Sequence, residues 1–220
     1  MIENPPIKDK YPLPIAVETV RVIGTAISKV FWRIEFHDTQ NIPQDLKSGL
    51  LIAPNHQTYF DPIWVYLPIK RRLRFMAWDK AFNWFLVGRF IRYFGAFPVS
   101  LERVGIVKAL RKAREVLKNG DTLVVFPEGS REFTDGKLLE FKTGAAKIAV
   151  DAGVPILPVT IVGANKVWSQ DHKMPRPGKV KIYYHPVLET TKTDKTKSTK
   201  LYLEELTEKL ENIIASKMDT

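Results

Sequence analysis

The chain has no cysteine and no long uncharged stretch, and each absence removes a class of protein. Without cysteine there is no disulfide scaffold and no thiolate site for zinc, and the composition suits a reducing compartment. The longest stretch free of charged side chains, Ala152 to Asn165, contains two prolines and is shorter than the ~18 apolar residues that a spanning helix needs. No secretory leader is expected: Met1 to Tyr11 is polar, and Glu18, Arg21, Lys29 and Arg33 interrupt the apolar segment behind it. Histidine is also scarce. His37, His172 and His185 stand in no ligand spacing with His56, so no metal and no bound cofactor are expected. No internal repeat is visible.

What is present describes one globular domain. Of 220 residues 45% are hydrophobic and 26% charged, enough apolar side chain for a substantial core. Lys and Arg outnumber Asp and Glu by 34 to 24, a formal charge of +10. Such a surface favours polyanions: nucleic acid, anionic lipid headgroups or an acidic carrier protein. Nucleic acid is not expected, because the cations are scattered rather than interleaved with aromatics and no nucleic-acid motif occurs.

Apolar runs closed by turn residues mark the strands. Leu50-Leu51-Ile52-Ala53-Pro54, Phe75 to Trp78, Gly95 to Val99, Thr122 to Phe126, Val154 to Val162 and Val180 to Val187 read as strands, most of them buried. Helices are expected from Pro62 to Leu67, Val104 to Lys118 and Phe141 to Ala152, with a last amphipathic helix carrying Leu203, Leu206, Leu210 and Ile213. Strands alternating with helices predict an α/β fold: a single domain with a mixed, largely parallel central sheet flanked by helices. Residues 37–188 form that domain, 1–36 an N-terminal amphipathic helix that associates with membranes, and 189–220 a solvated linker and C-terminal helix.

Some segments admit two readings. Ala16, Val20, Ile23, Ile27, Val30 and Ile34 line one face of the first helix, opposite Arg21, Ser28, Lys29 and Arg33. That face either lies in a membrane interface or packs on the domain. Lys80 to Phe94, apolar nearly all round, is either core or the wall of an acyl-chain channel. The cations of Lys70-Arg71-Arg72-Leu73-Arg74 are a solvated connection or an anion site, and those along Val104 to Lys118 serve solubility or dock an acidic protein.

Asn55-His56-Gln57-Thr58-Tyr59-Phe60-Asp61 places an imidazole and a carboxylate five residues apart where a strand turns into a helix. A carboxylate there can accept one ring N–H and leave the other nitrogen as a base for an incoming hydroxyl. Such a pair also occurs as an ordinary surface or capping contact. A second polar loop, Pro127-Glu128-Gly129-Ser130-Arg131, ends the clearest strand. Gly129 there allows close backbone approach and Arg131 offers a planar fork for phosphate. Lys142, in the first turn of the next helix, could join it, with free backbone N–H groups nearby.

Four blocks in order resemble the glycerophospholipid acyltransferase family over roughly residues 50–165. They are the His-x4-Asp block at His56 and Asp61, with Thr58 where Ser is usual; Gly95-Ala96-Phe97-Pro98-Val99; Phe126-Pro127-Glu128-Gly129-Ser130-Arg131; and Val154-Pro155-Ile156-Leu157-Pro158-Val159. The second block departs from the family pattern, its arginine falling two positions late at Arg103. The resemblance implies transfer of a fatty acyl group from a thioester, on coenzyme A or acyl carrier protein, to the free hydroxyl of 1-acyl-glycerol-3-phosphate, giving phosphatidic acid. Glycerol-3-phosphate or another lysophospholipid is an alternative acceptor, and a basic membrane-surface or nucleic-acid-binding protein the non-enzymatic reading. It further implies His56 as base and Asp61 as its partner, with Glu128, Gly129, Ser130, Arg131, Lys142 and Arg103 toward the acceptor, and Gly129 N–H as an oxyanion donor. Ser130 lies in no Gly-x-Ser-x-Gly elbow and is not a nucleophile. The expected place is peripheral, on the cytoplasmic side of the cell membrane.

Overall fold

Leu50, Leu51, Ile52 and Ala53 have no exposed surface, which requires a strand covered on both faces. In the computed structural model that strand, β2 (Leu50–Pro54), lies at the centre of a seven-stranded sheet. The structure describes residues 11–100, 102–131, 135–168, 173–191 and 198–218, without the side chain of Arg103. The other strands are β1 (Glu35–His37), β3 (Leu73–Trp78), β4 (Ala96–Val99), β5 (Thr122–Val124), β6 (Ile156–Val162) and β7 (Lys181–Tyr184), in spatial order β1-β7-β6-β2-β5-β3-β4. β6, β2, β5, β3 and β4 run parallel; β7 is antiparallel to β6 and carries β1 parallel to itself. The mixed, largely parallel sheet of the sequence reading is thus observed.

Helices cover both faces. Leu50 and Ile52 pack with Trp64 and Val65 of α2 (Asp61–Tyr66), while Leu51 and Ala53 pack with Ala145 and Ala149 of α5 (Gly144–Ala152) and Leu210 of α7 (Thr199–Ala215). α4 (Arg103–Lys118) joins the second core through Ala113, Val116 and Leu117. The packed alternation follows from the period of two along a strand.

The topology fixes where the site must be. After β2 the chain crosses by α2 toward β3, on one side; after the adjacent β5 it crosses by α5 to β6, on the other. Adjacent parallel strands whose connections leave in opposite directions open a crevice at their carboxyl ends. The motif loops that follow β2 and β5 meet in that crevice.

Several segments differ from expectation. α1 (Pro14–Trp32) rests on α2 and buries Val17, Arg21 and Ser28. Arg21 is buried, donating to Ile69 O at 2.7 Å and Tyr66 Oη at 3.3 Å, and buried Ser28 accepts Trp64 Nε1–H at 3.1 Å. Ile23, Ile27 and Val30 therefore face solvent, and Ile34 is buried only because a left-handed Arg33 ends the helix and turns the chain. Lys80 to Phe94 is not one buried helix. A 3-10 turn over Asp79–Asn83 precedes α3 (Phe85–Tyr93), whose only buried residue is Gly88. A Cβ on Gly88 would stand 2.2 Å from Phe82 O, so the backbones touch there and the large side chains point out.

Two cations of the basic cluster are taken up by the domain itself. Arg71 donates to Thr122 Oγ1, Ser48 O and Leu46 O, and buried Arg74 pairs with Asp121 at 3.1 Å, all at the amino ends of the strands, opposite the crevice. The stretch from Thr190 to Lys200 is not solvated throughout: Thr190 is buried and bonds Val154 O, and α7 begins at Thr199, while residues 192–197 lie outside the described residues. No helix among the described residues is long and apolar enough to cross a membrane.

Candidate active site

Pro54 ends β2 without an N–H to donate, and the next side chain takes over the pairing. Buried Asn55 gives Nδ2–H to Ile161 O at 3.0 Å and accepts Ile161 N–H at 2.7 Å, continuing the contact with β6. Two residues on, buried Gln57 accepts N–H groups of Ala164 and Asn165 at 3.1 and 3.3 Å and donates to Gly136 O at 2.9 Å. The first two acceptances cap the start of α6 (Ala164–Val167). His56 is held between these two clamps.

Asp61, the first residue of α2, has no exposed surface and meets four donors. Its Oδ2 takes Gln57 N–H at 2.6 Å, Thr58 N–H at 2.7 Å and His56 Nδ1–H at 2.8 Å; its Oδ1 takes the Thr58 hydroxyl at 2.7 Å. With Nδ1 carrying the hydrogen toward a carboxylate, the neutral ring keeps its lone pair on Nε2, on the crevice side. The ring stacks on Phe126, centroids 3.8 Å apart and planes 18° apart, which fixes the direction of that lone pair. Thr58 does what serine would do: its hydroxyl donates to Asp61 and accepts Phe60 N–H at 3.1 Å.

The second loop closes the crevice from β5. Glu128 is buried, and both carboxylate oxygens bind backbone: Oε1 takes His56 N–H at 2.6 Å and Oε2 takes Leu139 N–H at 3.1 Å. Gly129 adopts a left-handed φ of 69° and donates its N–H to Phe126 O at 3.1 Å. That N–H is committed to the turn, which removes it as the oxyanion donor considered above. Ser130 is exposed. Arg131 lays its guanidinium 3.6 Å from the centre of the Tyr59 ring, which joins this loop to the His56 loop. Lys142 stands in the loop before α5 rather than in its first turn; its N–H binds Pro127 O at 2.9 Å, and its amine would lie 3.0 Å from a Cβ on Gly129. Arg103 begins α4, its side chain outside the described residues.

His56, Asp61, Glu128, Gly129 and Arg131 therefore stand together, with Lys142 beside them. Asn55, Gln57, Phe126 and Tyr59 complete the site and were not singled out from the sequence. Two amides flanking a histidine just after a buried strand were the available signal, since a buried amide must find partners. No cluster of metal-binding side chains occurs among the described residues.

An imidazole oriented by a buried carboxylate, beside the loop that bears Arg131 at a switch point, is an arrangement able to act as a general base. The acyltransferase family model matches residues 33–162, and the chain belongs to that family. It is 38% identical over 130 residues to the 1-acyl-sn-glycerol-3-phosphate acyltransferase of Streptococcus pneumoniae, covering 58% of this chain and 47% of that protein. It is 29% identical to the Bacillus subtilis protein of the same name, over 68% of this chain and 70% of the relative. Some matches are partial: the chain spans about half the length of the Streptococcus relative and of a chloroplast relative from Arabidopsis thaliana. Among solved structures it resembles the crystal structure of the 1-acyl-sn-glycerophosphate (LPA) acyltransferase PlsC from Thermotoga maritima, with TM-score 0.71 and 30% identity over 91% of this chain and 79% of that one.

Proposed function

We propose that the protein transfers a fatty acyl group from a thioester, on coenzyme A or acyl carrier protein, to the free hydroxyl of 1-acyl-glycerol-3-phosphate, forming phosphatidic acid. The observation that carries this reading is the 2.8 Å bond between His56 Nδ1 and fully buried Asp61, beside the loop that bears Arg131. The names of the relatives supply the acceptor.

His56 Nε2 takes the proton of the acceptor hydroxyl as its oxygen attacks the thioester carbonyl. Asp61 meets the positive charge that develops on the ring. The tetrahedral intermediate collapses with loss of the thiolate, to which His56 returns the proton, leaving an ester and a free thiol with no acyl-enzyme. Arg131 and Lys142 grip the acceptor phosphate, with Ser130 at the mouth. Glu128 acts on the chain itself, tying the His56 backbone to the loop at Leu139. The protein works as a peripheral protein on the cytoplasmic face of a membrane, with the outward stripe of α1 in the interface.

The test is transfer from a panel of acyl thioesters to 1-acyl-glycerol-3-phosphate by wild type and His56→Ala side by side. A general base contributes about 10²- to 10⁴-fold, so turnover falls by at least that much in the variant. Equal turnover by the two proteins would remove His56 as the base, and transfer only to glycerol-3-phosphate or to a lysophospholipid with a headgroup would reassign the acceptor.

A further inference from the structure

An amphipathic helix on a globular domain ordinarily buries its apolar stripe. Here two helices in one layer leave large apolar side chains exposed. β2 to β3 and β3 to β4 cross in the same direction along the sheet, so α2 and α3 lie on the same face, and α1 rests on α2. Phe94, just beyond α3, packs in the same core as Val17 of α1 and Trp64 of α2. Val22, Ile27, Val30 and Phe31 of α1 are exposed. So are Phe85 (77%), Leu86 (74%), Phe90 (41%) and Tyr93 (47%) of α3; Phe90 and Tyr93 lean on the Phe94 ring at 4.6 and 5.2 Å, while Phe85 and Leu86 project furthest into solvent.

The ends and flanks of α3 indicate what covers it. Trp78 at the end of β3 and Trp84 just before α3 are about half exposed, at the carboxyl edge of the sheet where His56 also stands. Indole rings with an apolar body and a polar N–H favour the boundary between acyl chains and headgroups. Lys80, Arg89 and Arg92 are exposed around the same stripe, against a single acid, Asp79, in residues 78–93. Cations bordering an apolar stripe complement a surface that is anionic outside and hydrocarbon within.

We propose that α3, with Trp78 and Trp84 at its head, is a second lipid-inserting element, separate in sequence from α1, that sets the His56 crevice against an anionic bilayer. This deepens the lipid-surface part of the proposed function. A two-point contact would fix the orientation of the domain on the membrane, which one helix, free to roll about its axis, does not. The acceptor would then enter from the interface without first leaving it for water.

The experiment uses the full chain carrying Leu86→Glu and Phe90→Glu, with α1 unchanged. Co-sedimentation is measured with vesicles of phosphatidylglycerol and phosphatidylcholine, and with phosphatidylcholine alone. Transfer to a short-chain, water-soluble acceptor and the sedimentation coefficient of the free protein are measured alongside. The expected result is about tenfold weaker binding to the anionic vesicles, with transfer to the soluble acceptor and the oligomeric state both unchanged. Vesicle binding equal to wild type overturns the proposal. So does a change in self-association without a change in vesicle binding, which assigns the stripe to a second copy of the chain. Loss of transfer to the soluble acceptor also overturns it, placing α3 in the reaction itself. Leu86 is exposed and Phe90 leans on Phe94 from the outside, so the fold is expected to survive; if the glutamates prevent folding, Phe85→Ser with Leu86→Ser, at the two most exposed positions of α3, carries the same comparison. Vesicle binding is read without turnover, so failure of the proposed reaction and failure of this surface are told apart.

Discussion

Asp61 shows how one side chain can hold a loop and prepare a base together. Two of its four donors are backbone N–H groups, so removing the carboxylate strands them in the interior. Each unsatisfied buried donor costs about 1–3 kcal/mol, and Asp61→Ala should lower stability to denaturant by several kcal/mol as well as abolish transfer. Asp61→Asn preserves the shape and should keep most of the stability while transfer falls about 10²- to 10⁴-fold, a separation that denaturant melts and turnover measure together. Tyr59 and Arg131 form the second testable pair. With Arg131 on the acceptor phosphate, Arg131→Ala should raise KM for the acceptor roughly 10- to 100-fold with little change in kcat. Tyr59 acts through Arg131, and loss of a cation–π contact worth about 0.5–1 kcal/mol makes Tyr59→Ala raise the same KM roughly two- to fivefold. Tyr59→Phe keeps the ring face and should restore the wild-type value; an equal rise in both variants would assign the effect to the hydroxyl.

At the scale of elements, β6, β7 and α7 meet in one short chain of hydrogen bonds. The Thr160 hydroxyl donates to Ile214 O at 2.8 Å, so the contact of 2.7 Å with His185 uses a hydrogen on Nε2 of the imidazole. Burial, helped by Lys217 and opposed by Asp38, lowers the His185 pKa below its usual 6.5. Above both pKa values the group is neutral folded and unfolded and has no effect. As the pH falls through 6.5 the unfolded chain takes up a proton that the folded chain resists, so stability declines until the folded pKa is reached. The melting temperature should therefore drop from about pH 7.5 to about pH 5.5, and His185→Gln should flatten that drop. An unchanged slope in the variant would move the effect to other groups.

The whole molecule separates its cations by task. Arg71 and Arg74 brace the amino edge of the sheet, Arg131 and Lys142 stand at the crevice, and the exposed Lys108, Arg111, Arg114 and Lys118 of α4 leave positive charge on the opposite helical layer. Against this frame α1 is bolted to the domain by Arg21 and Ser28, so cutting it away would uncover Tyr66 and Trp64 and confuse binding with stability. Glutamate at Val22 and Ile27 avoids that, since both side chains face outward. Those substitutions should weaken vesicle binding about tenfold while leaving the melting temperature near wild type; equal co-sedimentation would refute a lipid role for α1.

Buried apolar runs, turn residues and the His-x4-Asp and Phe-Pro-Glu-Gly blocks were legible without coordinates, because each depends on residues close together in the chain. They carried the α/β class, the central strand and the pairing of His56 with Asp61. Contacts over long separations were not legible. Asn55 meets Ile161, Gln57 meets Ala164, and Glu128 meets the backbone of His56 across 72 residues, partners that only the strand order brings together. Gly129 kept its expected place, yet its N–H was taken by Phe126 O, a turn geometry that the residue type permits without dictating. The largest departure was α3, and for α1 the sequence left the apolar face with two readings. Periodicity locates the apolar side of a helix but not what that side meets, and here buried Arg21, buried Ser28 and the backbone contact at Gly88 hold the other side against the domain. Local chemistry determined the elements and the pairing of His56 with Asp61; the tertiary structure decided which faces were left exposed, because burial is settled between elements and not within them.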